Sequence, residues 1–275
     1  MQNYEFKERK DYVKRILSQE TLKQIALNDE DLSVRSEAIK NITDQKILMQ
    51  IIVDAKNLQT RFEAVKMITD QETLKYIALN DKVLGVRLEA VKNITVQETL
   101  EHIALKDGVL SVRCEAIGNI ADQEFLKLIA LNDEYWQIRV EAVKNITDQE
   151  FLKQMALNEP YWETMFEAVR NITDQEFLKQ IVLDDKDEDL SLEAVKRITD
   201  QELLKQIALN APSLSVRLVA ISKVQDENVL VEIANKSTDE KIAIEAIKKL
   251  PKCRIKEIKS DNWYINAVCE DILSK

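Results

Sequence analysis

Residues 68–93 read ITDQETLKYIALNDKVLGVRLEAVKN, and residues 146–171 read ITDQEFLKQMALNEPYWETMFEAVRN. The two stretches begin three steps of 26 residues apart. An alanine in the second half of the unit recurs at Ala38, Ala64, Ala90, Ala116, Ala142, Ala168, Ala194, Ala220 and Ala246. A leucine in the first half keeps the same step at Leu22, Leu48, Leu74, Leu100, Leu126, Leu152, Leu178, Leu204 and Leu230. A period held this long without an insertion marks a repeat architecture.

Each unit reads as two short helices. The first carries its apolar residues at helical spacing, as in Leu74, Ile77 and Ala78, and the second does so in Val86, Ala90, Val91 and Ile94. Thr-x-x-Glu pairs (Thr69/Glu72, Thr95/Glu98, Thr147/Glu150, Thr173/Glu176, Thr199/Glu202) read as capping boxes that open the first helix. Asn41, Asn93, Asn119, Asn145 and Asn171 suit left-handed residues that end the second. With only 3 Gly and 3 Pro in 275 residues, the tight turns of a β-sandwich or barrel are out of reach, and the chain is expected to be all-α.

One 26-residue unit cannot bury its own apolar face, so neighbours must stack. The expected architecture is a right-handed α-solenoid of about ten two-helix repeats, a single domain over 1–275. In it, 1–29 forms an N-terminal capping repeat and 251–275 a C-terminal cap. Lys7, Glu8, Arg9, Lys10 and Asp11 would solvate one end, and Trp263 with Tyr264 would close the other.

The second helix is preceded by Asp-x5-Arg at Asp29/Arg35, Asp81/Arg87, Asp107/Arg113 and Asp133/Arg139. In this the chain resembles short HEAT-like repeat proteins, and its period also approaches that of the leucine-rich variant repeat. The resemblance implies an Asp–Arg ladder between successive layers and a concave surface lined by the second helices. It covers nearly the whole chain and speaks to fold, since such solenoids serve many tasks. The iron–sulfur module of leucine-rich variant proteins needs a cysteine cluster, which Cys114, Cys253 and Cys269 do not form in sequence.

Composition narrows the function. Lys and Arg total 39 against 49 Asp and Glu, a net charge of −10, which argues against general binding of duplex nucleic acid. No apolar run approaches a membrane span, no secretory leader is visible, and the odd cysteine count fits a reducing compartment. A cytoplasmic monomer without cofactor is expected. His102 is the single histidine, at a position where other units carry Gln24, Gln154 or Gln180. One histidine builds neither a di-iron site nor a hydrolytic triad, so no catalytic or metal-binding residue is assigned. Cys114 falls where other units have Phe62, Leu88, Val140 and Phe166, and reads as core. Asp184, Asp185, Asp187, Glu188 and Asp189 lack the spacing of an EF-hand loop and read as a solvated turn.

Two features point to a partner. Tyr135-Trp136 and Tyr161-Trp162 fall one period apart in the loop between the paired helices, in a chain with only 5% aromatic residues. Other units place Leu32, Leu58, Leu84 or Leu110 at the Trp position, so either Trp can also fill a core site. The second helices carry a polar stripe of i, i+3 pairs, including Glu37/Lys40, Glu63/Lys66, Glu89/Lys92, Glu141/Lys144, Glu167/Arg170, Glu193/Lys196 and Glu245/Lys248. The expected function is a non-enzymatic scaffold or adaptor that holds a protein at Tyr135, Trp136, Tyr161, Trp162, Glu141, Lys144, Glu167 and Arg170. The competing reading is nucleic-acid binding or DNA base repair, with Trp136, Trp162 and Asp133 imitating a HEAT-like glycosylase cleft. The basic segment 241–259 is either a cap or a second contact surface.

Overall fold

In the computed structural model, residues 2–184 and 187–274 are described, and none of them forms a strand. The helices follow the 26-residue step. First helices are α2 (Gln19–Asn28), α4 (Gln45–Asp54), α6 (Gln71–Asn80), α8 (Gln97–Lys106), α10 (Gln123–Asn132), α12 (Gln149–Asn158), α14 (Gln175–Asp184), α16 (Gln201–Asn210) and α18 (Glu227–Lys236). Second helices are α3 (Leu32–Lys40), α5 (Leu58–Lys66), α7 (Leu84–Lys92), α9 (Leu110–Gly118), α11 (Trp136–Lys144), α13 (Trp162–Asn171), α15 (Glu188–Arg197), α17 (Leu214–Lys223) and α19 (Glu240–Lys248). Helix α1 (Gln2–Val13) precedes them, and α20 (Lys252–Ile255) and α21 (Trp263–Ser274) follow. The stack is an α-solenoid.

The chain divides into two compact units, one up to Asn145 and one from Ile146 onward. In each, a first helix packs on the second helix of its own pair, and second helices pack on one another from layer to layer. The recurring leucines, from Leu22 to Leu204, are fully buried between the rows, and so is every recurring alanine from Ala38 to Ala246. Alanine there lets helix backbones approach closely, which leucine would prevent.

The helix ends differ from the sequence reading. Where a side chain caps a first helix it is that of the residue just before the helix, an aspartate in most units and Ser18 in α2, and not the threonine; α8, preceded by Val96, has no side-chain cap. Asp70 accepts from the Thr73 amide at 2.9 Å, and Asp122, Asp148 and Asp200 do the same for their own first turns. A carboxylate at the positive end of the helix dipole is the stronger acceptor. The threonine amide is occupied elsewhere: Thr69 N donates to Oε1 of Gln45, one layer back, at 2.8 Å. The terminal asparagines are not left-handed either. Asn41 has φ −91° and Asn93 φ −96°. Their side-chain amides donate to Glu37 O and Glu89 O, the carbonyls four residues back.

Those glutamines form a ladder that the capping-box reading overlooked. Gln71 Nε2 donates to Asn93 O at 3.3 Å, and its Oε1 accepts from Thr95 N at 2.8 Å. Gln19, Gln45 and Gln97 bridge in the same way in the first unit, and Gln149 and Gln175 in the second. One side chain satisfies a helix-terminal carbonyl and a loop amide of the next layer together.

The Asp–Arg ladder that the resemblance implies between successive layers is present at alternate layers. Arg9, Arg61 and Arg113 pair with the carboxylates of Asp29, Asp81 and Asp133 in the following layer. The intervening arginines, Arg35, Arg87 and Arg139, donate to the backbone carbonyls of those same aspartates, at 2.7, 3.1 and 2.9 Å. Each such aspartate therefore receives one arginine from either side. In the second unit Met165 and Ser191 stand at the arginine position, and Arg217 meets Asp239 at 2.9 Å. Asp185, part of the expected acidic turn, lies outside the described residues, as does the Lys7 side chain.

The ends are also not as expected. Arg9 and Lys10 turn onto the first repeat, toward Asp29 and Glu37. Trp263 is 77% exposed; Ile265 and Cys269, four residues apart, form the buried face of α21 and turn Trp263 away from it.

Candidate functional site

Tyr135 and Trp136 belong to the first unit, as the N-cap and first residue of α11. The Tyr135 amide donates to Asp133 Oδ1 at 3.0 Å, and its ring lies 5.9 Å from the Arg113 guanidinium carbon. The ring is thus steered by the Arg113–Asp133 pair beneath it. Trp136 is 46% exposed and does not fill a core site. The same holds for the equivalent Leu32, Leu58 and Leu84, all exposed, because the buried face of each second helix begins two residues later, at Val34, Thr60, Val86 and Ile138.

Four residues on from Leu58, Leu84, Leu110 and Trp136, on the same helix face, stand Phe62, Leu88, Cys114 and Val140, each half-buried, as is Leu110 itself, whereas Leu32 is followed by Ser36. The first unit therefore carries a row of apolar i, i+4 pairs: Leu58/Phe62, Leu84/Leu88, Leu110/Cys114 and Trp136/Val140. Gly85 fits this row for a steric reason, since a Cβ there would sit 2.8 Å from the Phe62 ring. Cys114, expected in the core, lies on this half-buried row, and burial pushes its thiol pKa upward. Sequence reading treated the leucine positions as interior and so missed the row.

Tyr161 and Trp162 repeat the arrangement in the second unit, at the start of α13. Trp162, 64% exposed, meets Phe166 edge to face, with ring centroids 5.9 Å apart. Glu167 is nearly buried and binds Arg170 at 3.2 Å, while Arg170 also reaches Glu193 of α15 at 2.9 Å. The Arg170 pKa is raised, chiefly by the hydrogen bond to Glu193 and to a lesser degree by Glu167.

The polar stripe closes on itself. Lys144 binds Glu141 at 2.9 Å, Lys66 binds Glu63 at 3.1 Å, Lys92 binds Glu89 at 3.8 Å, and Lys196 and Lys248 bind Glu193 and Glu245. Glu37 meets Lys10 of α1. Pairs of this kind contribute only a few tenths of a kcal/mol each. What they do to the surface is to cancel its charge locally.

The basic segment is partly consumed by structure. Lys249 Nζ donates to the carbonyls of Ile221, Ser222 and Val224 at 2.7 to 2.9 Å, closing the C-terminus of α17, and its burial lowers its pKa. Arg254 binds Glu257, Glu227 and Asn228. Beside them an open cavity of about 830 Å³ is bordered by Leu218, Ile244, Lys241 and Tyr264.

His102 is exposed. Among the described residues no group of three His, Cys, Asp or Glu is placed to hold a metal ion, and no helix is long and apolar enough to cross a membrane.

Paired helices at a constant step, tied by glutamine and arginine ladders, define a helical repeat protein. Among solved structures the chain is similar to a leucine-rich repeat variant with a novel repetitive structural motif, at 17% identity and a TM-score of 0.51, covering 83% of this chain and 86% of that one. It is also similar to Escherichia coli YibA (18% identity, TM-score 0.35, covering 88% and 94%) and to a designed armadillo repeat protein (17%, 0.17, 94% and 99%). The likeness to the first concerns the fold. Neither a family model nor a curated protein sequence matches the chain.

Proposed function

We propose that this protein is a non-enzymatic interaction scaffold, acting as a cytoplasmic monomer, that holds a protein partner along the exposed face of its second helices. The observation that carries the reading is the apolar row with its aromatic end. Leu32, Leu58, Leu84 and Trp136 are each 40 to 49% exposed at one repeated position. Exposed apolar side chains repeated at one position are the chemistry of a protein contact, and Tyr and Trp are enriched where such contacts hold most of their energy. In the second unit Tyr161, Trp162 and Phe166 offer the same chemistry, bordered by Glu167 and Arg170. The locally cancelled charge of the stripe favours a protein surface over a phosphate backbone, which needs unpaired cations.

The test is affinity capture from the native host with the full chain and with a Tyr135→Ala/Trp136→Ala variant. Both side chains are exposed, so the helical melt of the variant is expected to match the parent. A partner retained by the parent and lost by the variant, with an affinity loss of about 1 kcal/mol or more, supports the reading. A partner set that is identical for both proteins removes the first unit's aromatic edge from it.

A further inference from the structure

The Glu–Lys stripe of the first unit has one gap, and it is one-sided. In α5, α7 and α11 the cation three residues after the glutamate folds back onto it: Lys66 on Glu63, Lys92 on Glu89, Lys144 on Glu141. In α9 the glutamate is Glu115 and the residue three on is Gly118. Helix α17, in the second unit, has instead lost both members of the pair, to Val219 and Ser222. At α9 only the cation is gone.

Nothing in the backbone asks for this glycine. Gly118 is the last helical residue of α9, its φ is not in the left-handed region, and a Cβ built on it meets no atom within 4 Å. Glycine is disfavoured in a helix relative to alanine. Its effect here is to leave open the space that lysine occupies in the neighbouring layers. The space is a shallow cavity of about 430 Å³ lined by Ser111, Cys114, Glu115, Gly118, Asn119 and Glu141. The charges around it are already matched. Lys92 and Lys144 close on their own glutamates, and Arg113 is buried against Asp133. Glu115 is the carboxylate left over, and it stands beside the apolar pairs Leu110/Cys114 and Trp136/Val140.

We propose that this notch seats a lysine or arginine side chain of the protein partner, which supplies in trans the cation that Gly118 omits. The inference rests on the scaffold reading and specifies its partner: a segment with one basic residue among apolar ones, the basic residue against Glu115 and the apolar ones on the leucine–tryptophan row. A carboxylate in a half-buried groove gives such a contact more selectivity than an exposed pair has.

The probe is a random peptide library displayed on phage and panned in parallel on the full-length protein and on its Gly118→Lys, Gly118→Ala and Trp136→Ala variants. Peptides that share a basic residue at one fixed place are expected on the parent and on Gly118→Ala. They should be lost on Gly118→Lys, whose own lysine fills the notch. A resynthesised peptide should bind Gly118→Lys and Glu115→Gln about tenfold more weakly than the parent, with the helical melt unchanged in Glu115→Gln and no lower than the parent's in Gly118→Lys. Peptides that lose binding to Trp136→Ala but bind Gly118→Lys as well as the parent would overturn the notch and leave the scaffold reading standing. Absence of any enriched peptide would overturn both.

Discussion

Replacing Asp133 by alanine is expected to be among the most damaging single changes in the first unit. The side chains of Arg113 and Asp133 are only 7% and 8% exposed. Arg113 Nε is held by Ala104 O, and a terminal nitrogen of the same guanidinium by Asp133. Asp133 Oδ1 in turn accepts from the Tyr135 amide. Alanine at 133 leaves a buried guanidinium without its counter-charge, and breaking one side of a buried pair costs about 3–5 kcal/mol. The chain also shows how the cost is avoided. One register step elsewhere, Ser191 stands at the arginine position and Ala211, buried, at the following aspartate position. The double variant Arg113→Ser/Asp133→Ala copies that solution and removes both charges at once. It should therefore be more stable than Asp133→Ala alone by roughly 1–3 kcal/mol, a coupling typical of contacting residues. Urea unfolding followed by circular dichroism at 222 nm reads the midpoints, and amide exchange in α9 and α11 shows whether the loss is local. An Asp133→Ala midpoint within error of the parent, or strictly additive losses in the cycle, would refute the reasoning that this buried pair ties the layers.

Gln71→Ala should cost about 1–2 kcal/mol, from two net inter-layer hydrogen bonds, with helix content unchanged; a neutral result would make the glutamine ladder ornamental. Glu232 accepts from Lys236 at 2.8 Å and Lys205 at 3.0 Å, which holds its pKa down to about 2. Because that folded value lies below the unfolded one, its contribution is complete above roughly pH 4.3 and is lost as pH falls toward 2. Glu232→Gln should accordingly flatten the decline of thermal stability over that interval, and an unchanged pH profile would count against it. Duplex DNA should not bind measurably at physiological salt, since the lysines of the stripe already face carboxylates. Micromolar binding weakened by neutralising Lys92 and Lys144 would reverse that conclusion.

Much of the fold was legible because its determinants are local. Leucine at Leu22 and its equivalents, and alanine at Ala38 and its equivalents, keep both helix faces in register with the 26-residue step, and every one of those alanines is buried. The candidate site was only half legible. The aromatic pairs stood out by type and spacing, but Trp136 and Trp162 were equally readable as interior residues. Their exposure was decided by where the helix begins: as the first residue of α11 or α13, each precedes the face that packs inward. The Glu115–Gly118 gap was present in the sequence as a missing lysine, yet it acquires meaning only beside neighbouring layers whose lysines fold back.

What the sequence determined by itself, then, is the element and its repeat: two helices per unit, stacked, with the apolar stripes turned inward. Periodicity within a helix and burial of its stripe are properties of a few adjacent residues. Tertiary structure decided the partners across layers. Thr69 and Glu72 read as a self-contained cap, yet Thr69 bonds to Gln45, 24 residues back. The motif implied an Asp–Arg ladder between layers but not which arginine meets which aspartate; the carboxylate of Asp133 binds Arg113, 20 residues back. Such contacts depend on how one helix pair is set down on the next. Several polar groups in a single unit can compete for each donor, and only the placed backbones choose between them.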